Sequence, residues 1–191
     1  PAGATSSQIW QQQCGVCHGA AGEGNRALGA PALTQLSSDY LTRQLTHFVN
    51  GVRGADPKDQ AGHRMALSVA LLAPSDIPAL AAFISTDLPP ARPEATLKGE
   101  ATRGKDYYTH LCSACHGGNA LGNPILGAPS LAGASDWYLK SAYQGFLDGL
   151  RGQHVDDVYG AQMARLAPAL SDENDLDDVI AHIMTLPPKR S

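Results

Sequence analysis

Aromatic side chains are scarce in this 191-residue chain, and it carries no excess of basic charge. Phe, Trp and Tyr make up 6% of the residues, so side chains alone provide few large bodies for an apolar core. The formal net charge is −4 and no basic stripe is present, so we expect no nucleic-acid partner. Long apolar runs are also missing, and the sequence predicts no transmembrane segment.

A secretory leader is likewise not visible where the sequence starts, at Pro1, with a polar stretch. We interpret the chain as a mature protein from which an export signal has been removed. This interpretation leaves open the nature of that signal and whether the precursor was tethered to a membrane.

Cysteines are few, and all four lie in two Cys-x-x-Cys-His pentads. The pentads contain Cys14, Cys17 and His18 in the first half, and Cys112, Cys115 and His116 in the second. Two thiols followed directly by an imidazole are the signature of covalent c-type haem attachment. The thiols suit two thioether bonds to the porphyrin edge, and the histidine can bind the iron. We therefore predict two covalently bound haem c groups.

Other uses of four cysteines fit the sequence less well. They could form two disulfides, or one zinc site from paired Cys-x-x-Cys motifs. Zinc ribbons separate their pairs by about 15–20 residues, whereas Cys17 and Cys112 are 95 positions apart. A thioredoxin-like redox motif gives no reason for the histidine that follows both pairs.

An internal repeat with an offset of 98 residues extends well beyond the pentads. Adding 98 to a position in the first half recovers the same residue at many sites. The matches include Leu28-Gly29-Ala30-Pro31 with Leu126-Gly127-Ala128-Pro129, Tyr40-Leu41 with Tyr138-Leu139, Phe48 with Phe146, Gly51-x-Arg53-Gly54 with Gly149-x-Arg151-Gly152, and Met65-Ala66 with Met163-Ala164.

The repeat singles out two of the three methionines as candidate iron ligands. Met65 and Met163 each lie 47 residues after the histidine of their pentad. A thioether opposite a histidine favours ferrous iron and raises the potential of a haem. The alternative is that both methionines fill gaps in a core, as buried methionines usually do. Met184 has no counterpart, and we interpret it as a core residue.

The other histidines do not obey the repeat, and we treat them as non-ligands. They are His47, His63, His110, His154 and His182. His63 is the one rival for the first iron, because it lies two residues before Met65. The second half has Ala161 at that place.

The pattern of apolar residues predicts an all-α fold in which the same helices occur twice. A first helix starts at Ser6 or Ser7, a second at Ser37 or Ser38, and a last one after Ser75. In the second half, equivalent helices start near Ser135 and after Ser171. Alternation typical of strands is absent.

Repeat length and proline content together predict two domains. We place the first at residues 1–88 and the second at residues 99–191, joined by a linker at residues 89–98. The linker region contains three prolines and no apolar periodicity, which is typical of a semi-extended connection.

These features make the chain resemble dihaem class I c-type cytochromes, in particular the cytochrome c4 family. The resemblance covers essentially the whole chain. It implies two tandem class I cytochrome c domains, each wrapped around one covalently attached haem. It also implies that the backbone carbonyls of Pro31 and Pro129 accept hydrogen bonds from His18 and His116.

The arginines of the repeated Gly-x-Arg-Gly segments are candidate contacts of the haem propionates. The guanidinium groups of Arg53 and Arg151 match carboxylates in charge and in geometry. The alternative is that both are solvated surface arginines, as most arginines are.

From the resemblance we expect a bacterial periplasmic electron carrier, with a membrane association left open. A bc1 complex or a dehydrogenase would be the donor, and a cbb3-type oxidase or another reductase the acceptor. The alternative function is a dihaem subunit or dedicated electron acceptor of an oxidoreductase, of the flavocytochrome or sulfur-compound dehydrogenase type. An enzyme such as a dihaem peroxidase needs an open iron site, which paired Met65 and Met163 argue against.

Overall fold

A computed structural model describes residues 4–170 and 172–188 of the chain. Within these residues the fold is helical, and β pairing is limited to two isolated bridges, Asn25–Ala30 and Asn123–Ala128. The predicted all-α class is confirmed. The chain divides into two compact units between Ala91 and Arg92, which we call unit 1 and unit 2. This division falls inside the predicted linker; the finer domain bounds stay a prediction.

The described part of unit 1, from residue 4 onward, contains five α-helices. They are α1 (Ser6–Ile9), α2 (Gly15–His18), α3 (Ser38–Val49), α4 (Gln60–Val69) and α5 (Ile77–Thr86), with a π-helical turn at Trp10–Cys14 and 3₁₀ turns at Arg26–Leu28 and Pro74–Asp76. Ser37 caps α3, as predicted, through its hydroxyl and the N–H of Tyr40. The cap of α1 is Thr5 and not a serine, because Thr5 and Gln8 form a reciprocal capping box.

Unit 2 repeats this order. Its helices are α6 (Ala101–Tyr107), α7 (Ser113–His116), α8 (Asp136–Leu147), α9 (Val158–Leu166) and α10 (Glu173–Thr185), with a π-helical turn at Tyr108–Cys112 and a 3₁₀ turn at Ala167–Leu170. Ser135 is the cap residue of α8, as predicted. Asp172 caps α10 by accepting from the N–H groups of Asn174 and Asp175. The predicted start at Ser171 lies outside the described residues.

The core of unit 1 lies where α3 and the first helical segment pack against α5. Leu41, Leu45 and Phe48 repeat at helical spacing and are buried on one face of α3. Trp10 is 2% exposed, and its indole N–H donates to the carbonyl of Ala20 at 2.9 Å. The segment that ends at His18 is therefore held by the burial of the Trp10 ring and by the hydrogen bond of its indole.

In unit 2 the corresponding contact is the crossing of α6 over α10. The approach is close because Gly104 has no side chain, and a Cβ there would overlap the backbone carbonyl of Asp178. Tyr108 replaces Trp10 and donates its hydroxyl proton to the carbonyl of Gly117 at 2.6 Å. Its ring centroid lies 5.4 Å from that of His182, a residue whose repeat position in unit 1 is Ile84.

The first residues of unit 2 are fixed by a buried carboxylate. Asp136 is 1% exposed and accepts hydrogen bonds from the N–H groups of Thr96, Leu97 and Trp137. Burial alone would raise the pKa of Asp136, but the hydrogen bonds outweigh it and lower the pKa below its usual value. Thr96 and Leu97, which the sequence assigns to the linker, are thus anchored to α8.

Among the described residues, no individual helix combines the length and apolar character needed to cross a bilayer. One bent pair, Gln60–Val69 with Pro74–Thr86, meets the length and composition criteria only when its two parts are taken together.

Unit 2 is expected to lose stability in mild acid because of His182. Burial, with a smaller contribution from Lys105, lowers the pKa of His182 below its ordinary value. As the pH falls past about 6.5, the unfolded chain takes up a proton that the folded chain still excludes, so acid favours unfolding. Replacing His182 with Ile, the residue at position 84, should reduce the difference in unfolding free energy between pH 7.5 and pH 5.

Chemical denaturation at the two pH values measures this effect. His110→Gln, which changes an exposed histidine of the same unit, is the matched control. An equal pH dependence in wild type and His182→Ile would contradict the prediction.

Candidate haem sites

A π-helical turn leads into each pentad, and the last residue of the turn is the first cysteine of the pentad. The turns Trp10–Cys14 and Tyr108–Cys112 lead directly into α2 and α7. Single π-turns of this kind are frequent at functional sites. The two cysteines of a pentad are three residues apart on a helix, so their thiols lie on one side of it.

The four thiols form no disulfide, and the first thiol of each pentad has a raised pKa. All four are free in the described structure, which argues against the disulfide alternative. Burial, with a smaller contribution from the second cysteine of each pair, raises the pKa of Cys14 and of Cys112 to about 11. Reactive redox cysteines have lowered pKa values instead, so these two do not fit thioredoxin-like chemistry.

A zinc site is not supported either. The pair Cys14 and Cys17 belongs to unit 1, and the pair Cys112 and Cys115 belongs to unit 2. Nowhere in residues 4–170 and 172–188 do three or more His, Cys, Asp or Glu side chains gather as a metal cluster.

The histidine of each pentad donates to a proline carbonyl. Nδ1 of His18 lies 2.8 Å from the oxygen of Pro31, and Nδ1 of His116 lies 2.9 Å from the oxygen of Pro129. Burial lowers the pKa of both histidines, and the hydrogen bonds offset this only in part. Each imidazole is therefore neutral, and its tautomer leaves Nε2 as the nitrogen suited to bind a metal.

A glycine turn brings the proline carbonyl to the histidine in each unit. The N–H of Gly24 donates to the carbonyl of His18 at 2.7 Å, and Gly122 makes the same bond to His116 at 2.9 Å. Gly24 has φ +88°, and a Cβ there would come within 2.9 Å of the Pro31 backbone. Because such a φ and such an approach both require glycine, the loop can close at this position.

The two candidate methionines lie on helices that the sequence reading did not predict, α4 and α9. Met65 and Met163 are half-buried, and Met65 packs against the same core cluster as Cys14. Met184 packs against the core of unit 2, as its lack of a repeat partner suggested. His63, the rival ligand, lies with Nδ1 3.1 Å from the carbonyl oxygen of Gly54.

Aspartates and glycines set the start of both methionine-bearing helices. Asp59 caps α4 by accepting from the N–H of Gly62 at 2.9 Å, and a side chain on Gly62 would collide with that carboxylate. A Cβ on Gly54 would overlap the Gly62 carbonyl. Unit 2 repeats these contacts with Asp157, Gly160 and Gly152. Asp59, Asp157, Gly62 and Gly160 were not identified from the sequence, although their offset of 98 was a usable signal.

The candidate propionate arginines lie against aromatic rings. The guanidinium carbon of Arg53 lies 4.6 Å from the ring centroid of Phe48, and that of Arg151 lies 4.4 Å from the ring centroid of Phe146. Both arginines are half-buried, which places them between the two alternatives considered from the sequence. Their role toward the propionates stays a prediction.

Residues 4–87 and 101–187 each match the family described as cytochrome c. The chain belongs to the cytochrome c family. Two such domains with Cys-x-x-Cys-His pentads carry two covalently bound haem c groups, as the sequence predicted. The residues present fit this cofactor, since each domain offers two thiols on one side of a helix and a neutral, carbonyl-oriented imidazole.

Several relatives of this cytochrome are redox proteins by name. It is 35% identical over 150 residues to a thiosulfate dehydrogenase electron acceptor of Thiomonas intermedia (strain K12), covering 72% of this chain and 64% of that protein. It is 32% identical over 135 residues to the cbb3-type cytochrome c oxidase subunit FixP of Bradyrhizobium sp. (strain ORS 278), covering 67% of this chain and 44% of that subunit. The chain therefore spans less than two thirds of either relative.

A solved cytochrome c4 confirms the predicted class I fold and the resemblance to that group. The Acidithiobacillus ferrooxidans protein has a TM-score of 0.73 and 25% sequence identity to this chain. The match covers 92% of this cytochrome and 99% of the solved chain.

Proposed function

We propose that this cytochrome is a periplasmic carrier that moves single electrons through its two haem groups to a terminal oxidase. The observation that carries the proposal is the repeated pairing of a carbonyl-bound histidine with a methionine-bearing helix at an offset of 98 residues. When bound, haem c supplies one-electron transfer by cycling its iron between the ferrous and ferric states.

In this proposal each residue of the pentads has a fixed task. Cys14 and Cys17 in unit 1, and Cys112 and Cys115 in unit 2, would hold the haem groups through thioether bonds. His18 and His116 bind iron through Nε2, while the carbonyls of Pro31 and Pro129 hold the opposite ring nitrogen and so keep each imidazole oriented. Arg53 and Arg151 pair with propionates.

Met65 and Met163 complete the coordination in the proposal. Two permanent protein ligands leave no position for peroxide, oxygen or a substrate, so the protein is a carrier and not an enzyme. Fixed helix starts at Asp59 and Asp157 hold the methionines in place and limit rearrangement between the two oxidation states.

Similarity to FixP and to cytochrome c4 supports a cbb3-type oxidase as electron acceptor, with a bc1 complex or a dehydrogenase as donor. The periplasm follows in the proposal from covalent haem attachment, which takes place outside the cytoplasm in proteins of this type.

A second candidate function is that of a dedicated acceptor for a sulfur-compound dehydrogenase. The specific support is the 35% identity to the Thiomonas thiosulfate dehydrogenase electron acceptor. The two candidates share the same haem chemistry and differ in the partner that delivers or removes electrons.

Stopped-flow kinetics with both partners separates the candidates. The ferrous protein is mixed with membranes containing a cbb3-type oxidase, and the ferric protein with purified thiosulfate dehydrogenase and thiosulfate. If this cytochrome is the electron donor of the oxidase, the oxidase should oxidise it within one turnover time. The dehydrogenase should then reduce it only slowly. The reverse ratio of rates would replace the first proposal with the second.

A separate spectroscopic measurement tests the carrier chemistry. The ferric wild type should show the absorption band of methionine-bound haem in both domains, and the native ferrous protein should not bind carbon monoxide. Carbon monoxide binding under native conditions would overturn the carrier proposal.

A further inference from the structure

The two domains hold their repeated arginines in the same way through ring and backbone contacts, but they differ in a side-chain hydrogen bond. In both domains the guanidinium stacks on a phenylalanine ring. In both, the backbone N–H of the arginine also donates to a carbonyl of the helix that precedes it. The N–H of Arg53 donates to the carbonyl of His47 at 3.1 Å, and that of Arg151 to the carbonyl of Gly145 at 3.0 Å. The turn geometry is therefore the same, and a difference between the arginines must come from their side-chain neighbours.

Gln44 is that difference. Its Oε1 accepts a hydrogen bond from Nη1 of Arg53 at 2.6 Å, between half-buried side chains. The repeat position in unit 2 is Ala142, whose methyl group cannot accept a hydrogen bond. The glutamine of α8 is Gln144, and it donates to Asp148 at 2.8 Å. Unit 1 thus orients its guanidinium with an acceptor on α3 that unit 2 lacks at the matching position.

A hydrogen bond of this kind fixes the plane of the guanidinium. The ring of Phe48 covers one face of the Arg53 guanidinium, and the bond to Gln44 contributes a restraint on its rotation. A guanidinium carries five N–H donors in a rigid fork, so Arg53 can bond to Gln44 and still donate hydrogen bonds to a propionate. A cation held close to a haem favours the ferrous state, because ferric iron carries one more positive charge.

We propose that Gln44 is a positioning residue, which holds Arg53 toward a propionate of the unit 1 haem and so raises the potential of that haem. The inference rests on the proposed function, in which Arg53 pairs with a propionate. It makes unit 1 and unit 2 chemically unequal at one matched pair of positions, Gln44 and Ala142. A guanidinium free to turn away leaves the propionate charge less compensated, which favours ferric iron.

A double-mutant cycle read out as the potential of each haem tests this inference. Spectroelectrochemical titration is done on wild type, Gln44→Ala, Arg53→Leu and the double variant, with haem methyl resonances assigning the potentials to the domains. Gln44→Ala should shift the equilibrium of the unit 1 haem toward ferric by three- to tenfold, where tenfold is about 59 mV for one electron. On the Arg53→Leu background the same change should shift it no further.

Unit 2 provides the reciprocal variant. Ala142→Gln, which introduces the missing acceptor, should move the unit 2 haem toward ferrous and leave the unit 1 haem unchanged. If Gln44→Ala leaves the unit 1 potential unchanged, or shifts it equally with and without Arg53, the positioning role is wrong. If the wild type also shows intact methionine–iron bands, such a result contradicts the positioning role only and does not affect the carrier proposal. If those bands are missing in the wild type, the carrier proposal itself is wrong.

Discussion

Replacing Met65 or Met163 with alanine should convert the haem of that domain into one that binds carbon monoxide. Each methionine is half-buried on a helix whose start is fixed by an aspartate cap, and the alanine that replaces it carries no sulfur to offer the iron. Loss of the thioether also removes the ligand that favours ferrous iron, so the potential of that haem should fall by more than about 59 mV, a tenfold change in its equilibrium.

Absorption spectroscopy and redox titration measure both effects in the purified dihaem protein. Met184→Leu is the matched control, because Met184 packs against the core of unit 2 and has no repeat partner. It should keep both methionine–iron bands and both potentials. Retention of the band in Met65→Ala, or its loss in Met184→Leu, would refute the assignment of the ligands.

Replacing Gly104 with alanine should destabilise unit 2 by about 2–3 kcal/mol, in spite of the higher helix propensity of alanine. On an exposed helix the same change stabilises by about 1 kcal/mol. Here the added methyl group would overlap the backbone oxygen and carbon of Asp178, and a backbone carbonyl cannot rotate aside as a flexible side chain can. The helices α6 and α10 would have to separate, which opens the packing around Tyr108 and His182.

Because Trp10 of unit 1 and Trp137 of unit 2 both fluoresce, the unfolding of unit 2 is measured by amide hydrogen exchange within α6 and α10. Gly118→Ala is a suitable control, because a Cβ at Gly118 meets no atom within 4 Å. The control should change the unfolding free energy by less than about 0.5 kcal/mol. A Gly104→Ala protein as stable as the control would show that the two helices do not cross so closely.

The cofactor and the helical class were accessible from sequence because they depend on short-range patterns. A pentad of five adjacent residues specifies haem attachment, and helical spacing within α3 specifies its buried face. The offset of 98 residues showed which positions of the two halves are equivalent, and this needs no knowledge of their contacts. The helices α4 and α9 were not predicted from the sequence because their apolar faces are short. Their start also depends on an aspartate cap and on two glycines that contact each other across a turn.

Sequence by itself determined that this protein has two similar helical halves, each with a pentad for haem c and a methionine 47 residues later. Tertiary structure alone decided which contacts the residues that differ between the halves make. The bond of Gln44 to Arg53, the ring contact of Tyr108 with His182 and the anchoring of Thr96 by Asp136 join residues that are 9, 74 and 40 positions apart. Such contacts leave no period in the sequence, since they depend on which surfaces the folded helices bring together.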